Sequence, residues 1–255
     1  MARPPTLWRI AGIPGQVTHM TIATPPAHHA VILCHPDPDS FNAAVARRYC
    51  ETVRENGQTA VLRDLYQMGF DPVLRSDERP QSEDIVFSAD VAAEIEEIRG
   101  ADVFVLIYPI WFGTPPAMLK GYVERVFGAG FDHRAMREHT RHSFMADKHL
   151  LSLSSSGNSI QWLEEQGAWL SLRNVFDTYL ATAFSMASNE HIHFANIVDG
   201  LAQRWINEEL YRVTEIARKT CSRLIGASSH KRTRLSISAF ATTVYDESAK
   251  ASLRK

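Results

Sequence analysis

Long apolar runs are missing from this sequence. No stretch approaches the roughly 20 residues of a membrane span. Pro4, Pro5, Pro14, Pro25 and Pro26 interrupt every apolar segment of the first 30 residues, so no signal-peptide core forms there. Cysteine is scarce. Cys34, Cys50 and Cys221 are odd in number, widely spaced and form no CxxC pair. This excludes a disulfide framework and the common structural metal spacings, and a reduced, cytoplasmic protein is expected. The glycine fingerprint GxGxxG is absent, which removes a Rossmann-type dinucleotide site. No internal repeat is present. Acid is missing from residues 1–30, which carry only Arg3 and Arg9. Residues 226–255 carry six Lys and Arg against Asp246 and Glu247, so with −2 overall the body between the ends carries −8. An acidic body argues against nucleic-acid binding as the main function.

What is present is an α/β pattern. Hydrophobic content of 45% and charged content of 22% are globular values. Val103 to Ile107 is a continuous β-branched and aromatic run, which suits a strand buried on both faces of a parallel sheet. It breaks at Pro109 and turns through Gly113-Thr114-Pro115-Pro116 into a helix with Leu119, Tyr122, Val123, Val126 and Phe127 inward. Four further strands are predicted at 30–34, 59–65, 149–153 and 191–197. Helices are predicted at 42–56, with Phe41, Val45, Tyr49 and Val53 inward, and at 85–99. Another is predicted at 169–184, with Leu172, Val175, Phe176, Leu180 and Ala183 inward. The last, at 201–224, has Leu201, Trp205, Leu210 and Val213 among its inward residues. The alternating order gives a five-stranded parallel sheet with helices on both faces. Residues 28–225 form the expected domain, with flexible extensions at 1–27 and, basic in character, at 226–255.

Open sheets of this kind bind ligands at the carboxyl ends of their strands. Three predicted loops lie there. The first, His35 to Asn42, leads into a helix, whose first N–H groups make an anion site; Ser40 or Asn42 also suits a plain helix cap. The second is the aromatic loop Pro109-Ile110-Trp111-Phe112. The third, Ser154-Ser155-Ser156-Gly157, has the Ser/Gly composition of any surface connection, and its position sets it apart. His191 and His193 share a strand face and could hold a metal, but no further ligand cluster accompanies them and no metal is expected.

Tyr108-Pro109-Ile110-Trp111-Phe112-Gly113, then Pro116 to Gly121 and Glu124-Arg125-Val126-Phe127, closely resembles the flavin loop and following helix of the NAD(P)H:quinone oxidoreductases, which are flavodoxin-like. The His-x5-Phe-Asn string at 35–42 is similar to that family's flavin-phosphate loop. Asp64-Leu65-Tyr66 and Met68 to Pro72 resemble its second strand and exit. The resemblance spans about residues 28–224 and implies a flavodoxin-like strand order. It implies that His35, Ser40, Phe41 and Asn42 hold the phosphate end of a flavin. Pro109, Ile110, Trp111 and Phe112 would line its ring, and Ser154, Ser155, Ser156 and Gly157 its polar edge. That last loop departs from the family's Thr-Thr-Gly-Gly, with serines for threonines and one glycine.

The implied cofactor is FAD or FMN, with FAD favoured, and the implied co-substrate is NAD(P)H. The implied acceptor is a quinone-like molecule reduced by a ping-pong mechanism, and the implied assembly is a homodimer. The resemblance also puts Phe131, His133 and Trp162 on the substrate side. Trp162 stands where the family often has a tyrosine that assists hydride transfer, and Ala168 near that tyrosine's histidine partner, so this pair is absent here. Two other readings keep the fold: a flavin-loaded regulatory subunit of an ion-transport system, and a binding protein without flavin.

Overall fold

The apolar run at the centre of the sequence becomes the centre of the sheet. A computed structural model describes residues 25–79, 87–129 and 143–225. The segments 1–24 and 226–255, and with them most of the expectation for the two extensions, lie outside those residues, as do Phe131 and His133. Five strands pair in parallel: β1 (His28–Leu33), β2 (Thr59–Asp64), β3 (Val103–Pro109), β4 (His149–Ser155) and β5 (Ser188–Phe194). Their order is β2-β1-β3-β4-β5. All seven residues of β3 are buried.

Helices cover both faces, as a parallel sheet requires. One face packs α1 (Phe41–Glu55) and α7 (residues 203–225) through Val45, Tyr49, Val53, Val213 and Ala217. The other packs α2 (Ala89–Ile98) and α3 (Ala117–Tyr122), which runs on as a π-helical turn through Val123–Phe127. It also packs α5 (Ala168–Leu172), a π-helical stretch Arg173–Thr178 and α6 (Tyr179–Ala183), which follow the short helix α4 (Ile160–Glu165). The flavodoxin-like order and the two-faced cover agree with the expectation from sequence.

Several local expectations are corrected. Strand β5 starts at Ser188 and ends at Phe194, three residues earlier than the apolar pattern predicts. Its polar start is tolerated because β5 is an edge strand, and Glu190 pairs there with Lys219 and Arg223. Strand β4 runs on to Ser155, so Ser154 and Ser155 belong to the strand. Val175 points outward, 75% exposed, while Leu172, Phe176 and Leu180 keep the inward line. Asp177, two residues on, is buried instead, its carboxylate held by Ser152 and His191. Trp205 is likewise half-exposed: the inward stripe of α7 runs back from Val213 through Leu210 and Ile206, one residue off. Leu201 precedes α7, and α2 begins at Ala89.

Candidate functional site

Strands β1, β3 and β4 end at one edge of the sheet, and their three exit loops enclose a cleft of about 420 Å³. Its first wall is the β1–α1 loop. Ser40 caps α1, its Oγ accepting from the Ala43 N–H at 3.2 Å, so the capping role weighed from sequence is present. The N–H groups of Phe41 and Asn42, in the first turn, have no acceptor within the helix and lie at the cleft. Asn42 reaches across to β4: its Nδ2 donates to Ser155 Oγ at 2.9 Å. This ties the first loop to the third. Asp37 and Asp39 also line this end, but Asp37 Oδ1 is turned into the loop, where it accepts from the Asp39 N–H at 2.9 Å. His35 Nδ1 accepts from the Asp37 N–H at 3.0 Å, and its ring sits 5.8 Å from that of Trp111.

The second wall is a tight turn. Trp111 and Thr114 exchange backbone hydrogen bonds of 3.0 and 3.1 Å, leaving Phe112 and Gly113 at the corner with φ of 51° and 81°. Two positive φ values in a two-residue corner are the pattern of a type I′ turn. Gly113 adopts this freely; Phe112 does so under strain, with its ring wholly in solvent. Pro109, Ile110 and Trp111 line the cleft, and the Ile110 N–H donates to Ser155 O at 2.7 Å. Phe112 projects away from it.

The third wall is the end of β4. Strand alternation sends Ser155 toward Asn42 and Ser154 to the opposite face. Ser155, Ser156 and Gly157 line the cleft, and Ser154 lies beneath, fully buried. Trp162, on the short helix α4, is exposed and does not line the cleft.

Sequence reasoning missed a fourth wall, Ile197 to Leu201 with Ile206 of α7. The sequence pattern puts Ile197 at the end of a strand and Leu201 and Ile206 in the last helix, with Val198 to Gly200 between them. Instead the chain leaves β5, takes a positive φ at Asn196 (59°), and folds back over the β4 loop. There the N–H of Ile197 donates to Ser156 O at 2.9 Å and that of Asn196 to Asn158 O at 3.1 Å. The legible signal was Gly200, which stands at φ 77°.

Below the cleft, the face that carries Ser154 holds a buried polar chain. The register aligns Ser152 with His191 and Ser154 with His193. Asp177 accepts from Ser152 at 2.5 Å and pairs with His191 Nδ1 at 2.6 Å. Ser154 Oγ bonds His191 Nε2 at 2.6 Å and His193 Nδ1 at 2.8 Å, and His193 Nε2 meets Ser156 Oγ at 3.0 Å. All four ring nitrogens are therefore engaged within the protein. Trp169 covers both imidazoles, with ring centres at 4.7 and 5.5 Å. Burial, the neighbouring His191 and Arg212 hold the His193 pKa down at about 4. Asp177–His191–Ser154 has the order of a hydrolytic triad, but Ser154 is inaccessible and shared with a second histidine, so it is no nucleophile. The three cysteines are buried, and burial pushes the Cys34 thiol up to about 12 and Cys50 to about 11, which makes both poor nucleophiles.

The family model of the flavodoxin-like fold matches residues 27–213. The chain is 30% identical over 168 residues to an uncharacterised NAD(P)H oxidoreductase of Haemophilus influenzae, covering 66% of this chain and 81% of that one. It is 32% identical over 146 residues to NAD(P)H dehydrogenase [quinone] 1 of Rattus norvegicus, covering 50% of this chain and 53% of the rat enzyme. The chain belongs to the flavodoxin-like NAD(P)H:quinone oxidoreductase family. A solved member, the NAD(P)H:quinone oxidoreductase from Methanothermobacter marburgensis, superposes with a TM-score of 0.64 at 25% identity, over 76% of this chain and 96% of that one. In this family's sheet order, the cleft at the ends of β1, β3 and β4 lies where the strand order reverses, the crevice in which open α/β sheets bind ligands.

Proposed function

We propose that this protein is a flavin-dependent oxidoreductase that takes a hydride from NAD(P)H and delivers it to a quinone-like acceptor. The observation that carries this reading is the convergence of three loops on one cleft, each with a different chemistry. The residues fit a flavin. The cleft volume is in the range of cofactor sites. One end offers amide and hydroxyl donors, the middle an apolar wall, and the third side a row of serines. A bound flavin would supply the two-electron chemistry.

The chain's own residues bind and orient. The first-turn amides of α1 and the Ser40 hydroxyl would hold a phosphate through neutral donors, helped by the positive end of the helix. Ile110 and Trp111 would pack along the ring, and Ser155 to Gly157 would meet its polar edge. The Asn42–Ser155 hydrogen bonds keep the phosphate and polar ends at a fixed separation. The cofactor is FAD or FMN, FAD being favoured by the family resemblance. Phe131 and His133 would flank the substrates.

NAD(P)H and acceptor would share one exposed face in turn. The kinetics are then ping-pong, with parallel double-reciprocal lines, and NAD(P)H alone bleaches the bound flavin anaerobically. Intersecting lines would overturn the shared face. The protein would act as a cytoplasmic homodimer. Leu170, Val175 and Tyr179 are exposed apolar side chains of the α5–α6 segment and support that assembly.

A further inference from the structure

The buried polar chain has a direction, and the direction follows from its anchor. Both oxygens of the Asp177 carboxylate accept, one from Ser152 and one from His191 Nδ1–H. With Nδ1 carrying the proton of a neutral imidazole, His191 Nε2 must accept, so the Ser154 hydroxyl donates to it. Ser154 has only one proton. Its contact with His193 therefore requires His193 Nδ1–H to donate, which leaves His193 Nε2 as an acceptor. Ser156 then donates inward to Nε2, and its second contact, Asn158 O at 3.2 Å, goes without that proton in this state. One buried carboxylate thus fixes every tautomer and hydroxyl up to the cleft wall.

The chain also has a second consistent arrangement. One proton from water is taken up at Ser156 while the Ser156 O–H proton passes to His193 Nε2. The His193 Nδ1 proton passes to Ser154, and the Ser154 proton to His191 Nε2. Each step breaks one O–H or N–H bond and forms another, and no electron changes hands. His191 now carries both protons and rests as an imidazolium against the Asp177 carboxylate, 2.6 Å away. His191 Nε2–H donates to Ser154, Ser154 to His193 Nδ1, and His193 Nε2–H to Ser156. The Ser156 hydroxyl is freed to donate outward, with Asn158 O at 3.2 Å as its resting acceptor.

We propose that Asp177–His191–Ser154–His193–Ser156 is a reversible proton relay that presents Ser156 to the cleft as an acceptor in one state and, after uptake of one proton, as a donor that stabilises negative charge at the cofactor's polar edge. The assignment of that edge rests on the flavin reading above; the reversal of the chain does not. The surroundings favour a captive proton. Trp169 seals the imidazoles, and Phe176 and His191 pack against Tyr108, whose hydroxyl is buried. Among the described residues, the other titratable or charged groups facing the chain are Tyr108, Arg212 near His193, Arg173 over Trp169 and Asp199 on the cleft wall. In the free protein the two cations oppose uptake. A negative charge at Ser156 reverses that balance.

Nitrogen NMR of the imidazoles in the full chain tests this. In the ligand-free protein near pH 7.5, both histidines carry a proton on Nδ1 alone; Nε2–H on either would overturn the relay. On acidification the pair takes up one proton in a single step, with both ring nitrogens of His191 protonated and His193 switched to Nε2–H. Two independent titrations would overturn it. FMN is then added oxidised and, separately, reduced anaerobically. Reduced FMN induces the switched state at neutral pH and oxidised FMN does not; equal states with both bound forms would reject the role at the cofactor edge. Binding of neither form refutes the flavin reading, while the acid titration still decides the relay. Ser154→Ala removes the middle link: His191 keeps its Nδ1 proton and His193 loses its fixed tautomer. An unchanged His193 tautomer in that variant would show the chain to be packing only.

Discussion

At the scale of single residues, strain and burial mark the places where structure serves something other than stability. Phe112 holds a left-handed φ of 51° with its ring in solvent. Neither feature stabilises the monomer, and outliers of this kind gather at functional sites. Phe112→Asn keeps the turn and relieves the strain, so thermal or urea unfolding should show a gain of about 1 kcal/mol. Acceptor turnover should fall at the same time if the ring flanks the substrate face. A loss of stability would show that the ring packs on something that holds the fold. Burial acts on His29 and His193, each held at about 4, against an ordinary value near 6.5. The unfolded chain therefore binds more protons between pH 6.5 and 4. What these two groups contribute is constant above that window and is lost through it on acidification, on the order of 3 kcal/mol for His29 when complete. Urea midpoints measured from pH 7.5 to 4.5 should decline, and His29→Gln should flatten the slope. A flat wild-type profile would contradict the assignment of both imidazoles as neutral.

Elements were legible where periodicity is long. The apolar run of β3, the spacing by four in α1 and the mixed stripe of α3 all follow from sequence, and so does the sheet built on them. What escaped has short-range or three-dimensional causes. Strand β5 begins with Ser-Asn-Glu, which no strand pattern favours; its register is dictated by pairing with β4 along its full length. Helix α4 is only one turn and a half, too short for an amphipathic signature. The fourth wall of the cleft depends on a reversal at Asn196 that the chain makes because Ser156 and Asn158 supply its hydrogen bonds. Of the candidate site, the three loops were legible and their cross-links were not. Nothing in the sequence links Asn42 to Ser155, 113 residues apart. Helix α3 offers a sharp test at this scale. It sits directly on the 71–72 segment, where a Cβ on Gly121 would lie 2.2 Å from Pro72 O. Buried Arg125 ties the same segment down through Asp71 O and joins it to Glu78 and Asp90. Gly121→Ala must push the two apart, at a cost of about 1–3 kcal/mol. An unfolding midpoint equal to wild type would mean that the helix is free to shift.

At the scale of the whole molecule, one end of the sheet carries the cleft, and the apolar side chains of Leu170, Val175 and Tyr179 are exposed on the α5–α6 segment. Light scattering should give twice the 28.7 kDa chain mass. Val175→Glu together with Tyr179→Glu should shift the protein to monomer with the fold retained, because both side chains lie outside the core. A wild-type monomer at micromolar concentration would leave these side chains without a partner and count against a shared site. The central claim is that the cleft between β1, β3 and β4 holds a flavin, and its most direct measurement is the identity and amount of flavin released by heat from the purified chain. The result predicted is FAD or FMN at close to one per chain, with Asn42→Ala lowering the occupancy. A colourless protein that takes up neither FMN nor FAD on reconstitution would contradict it.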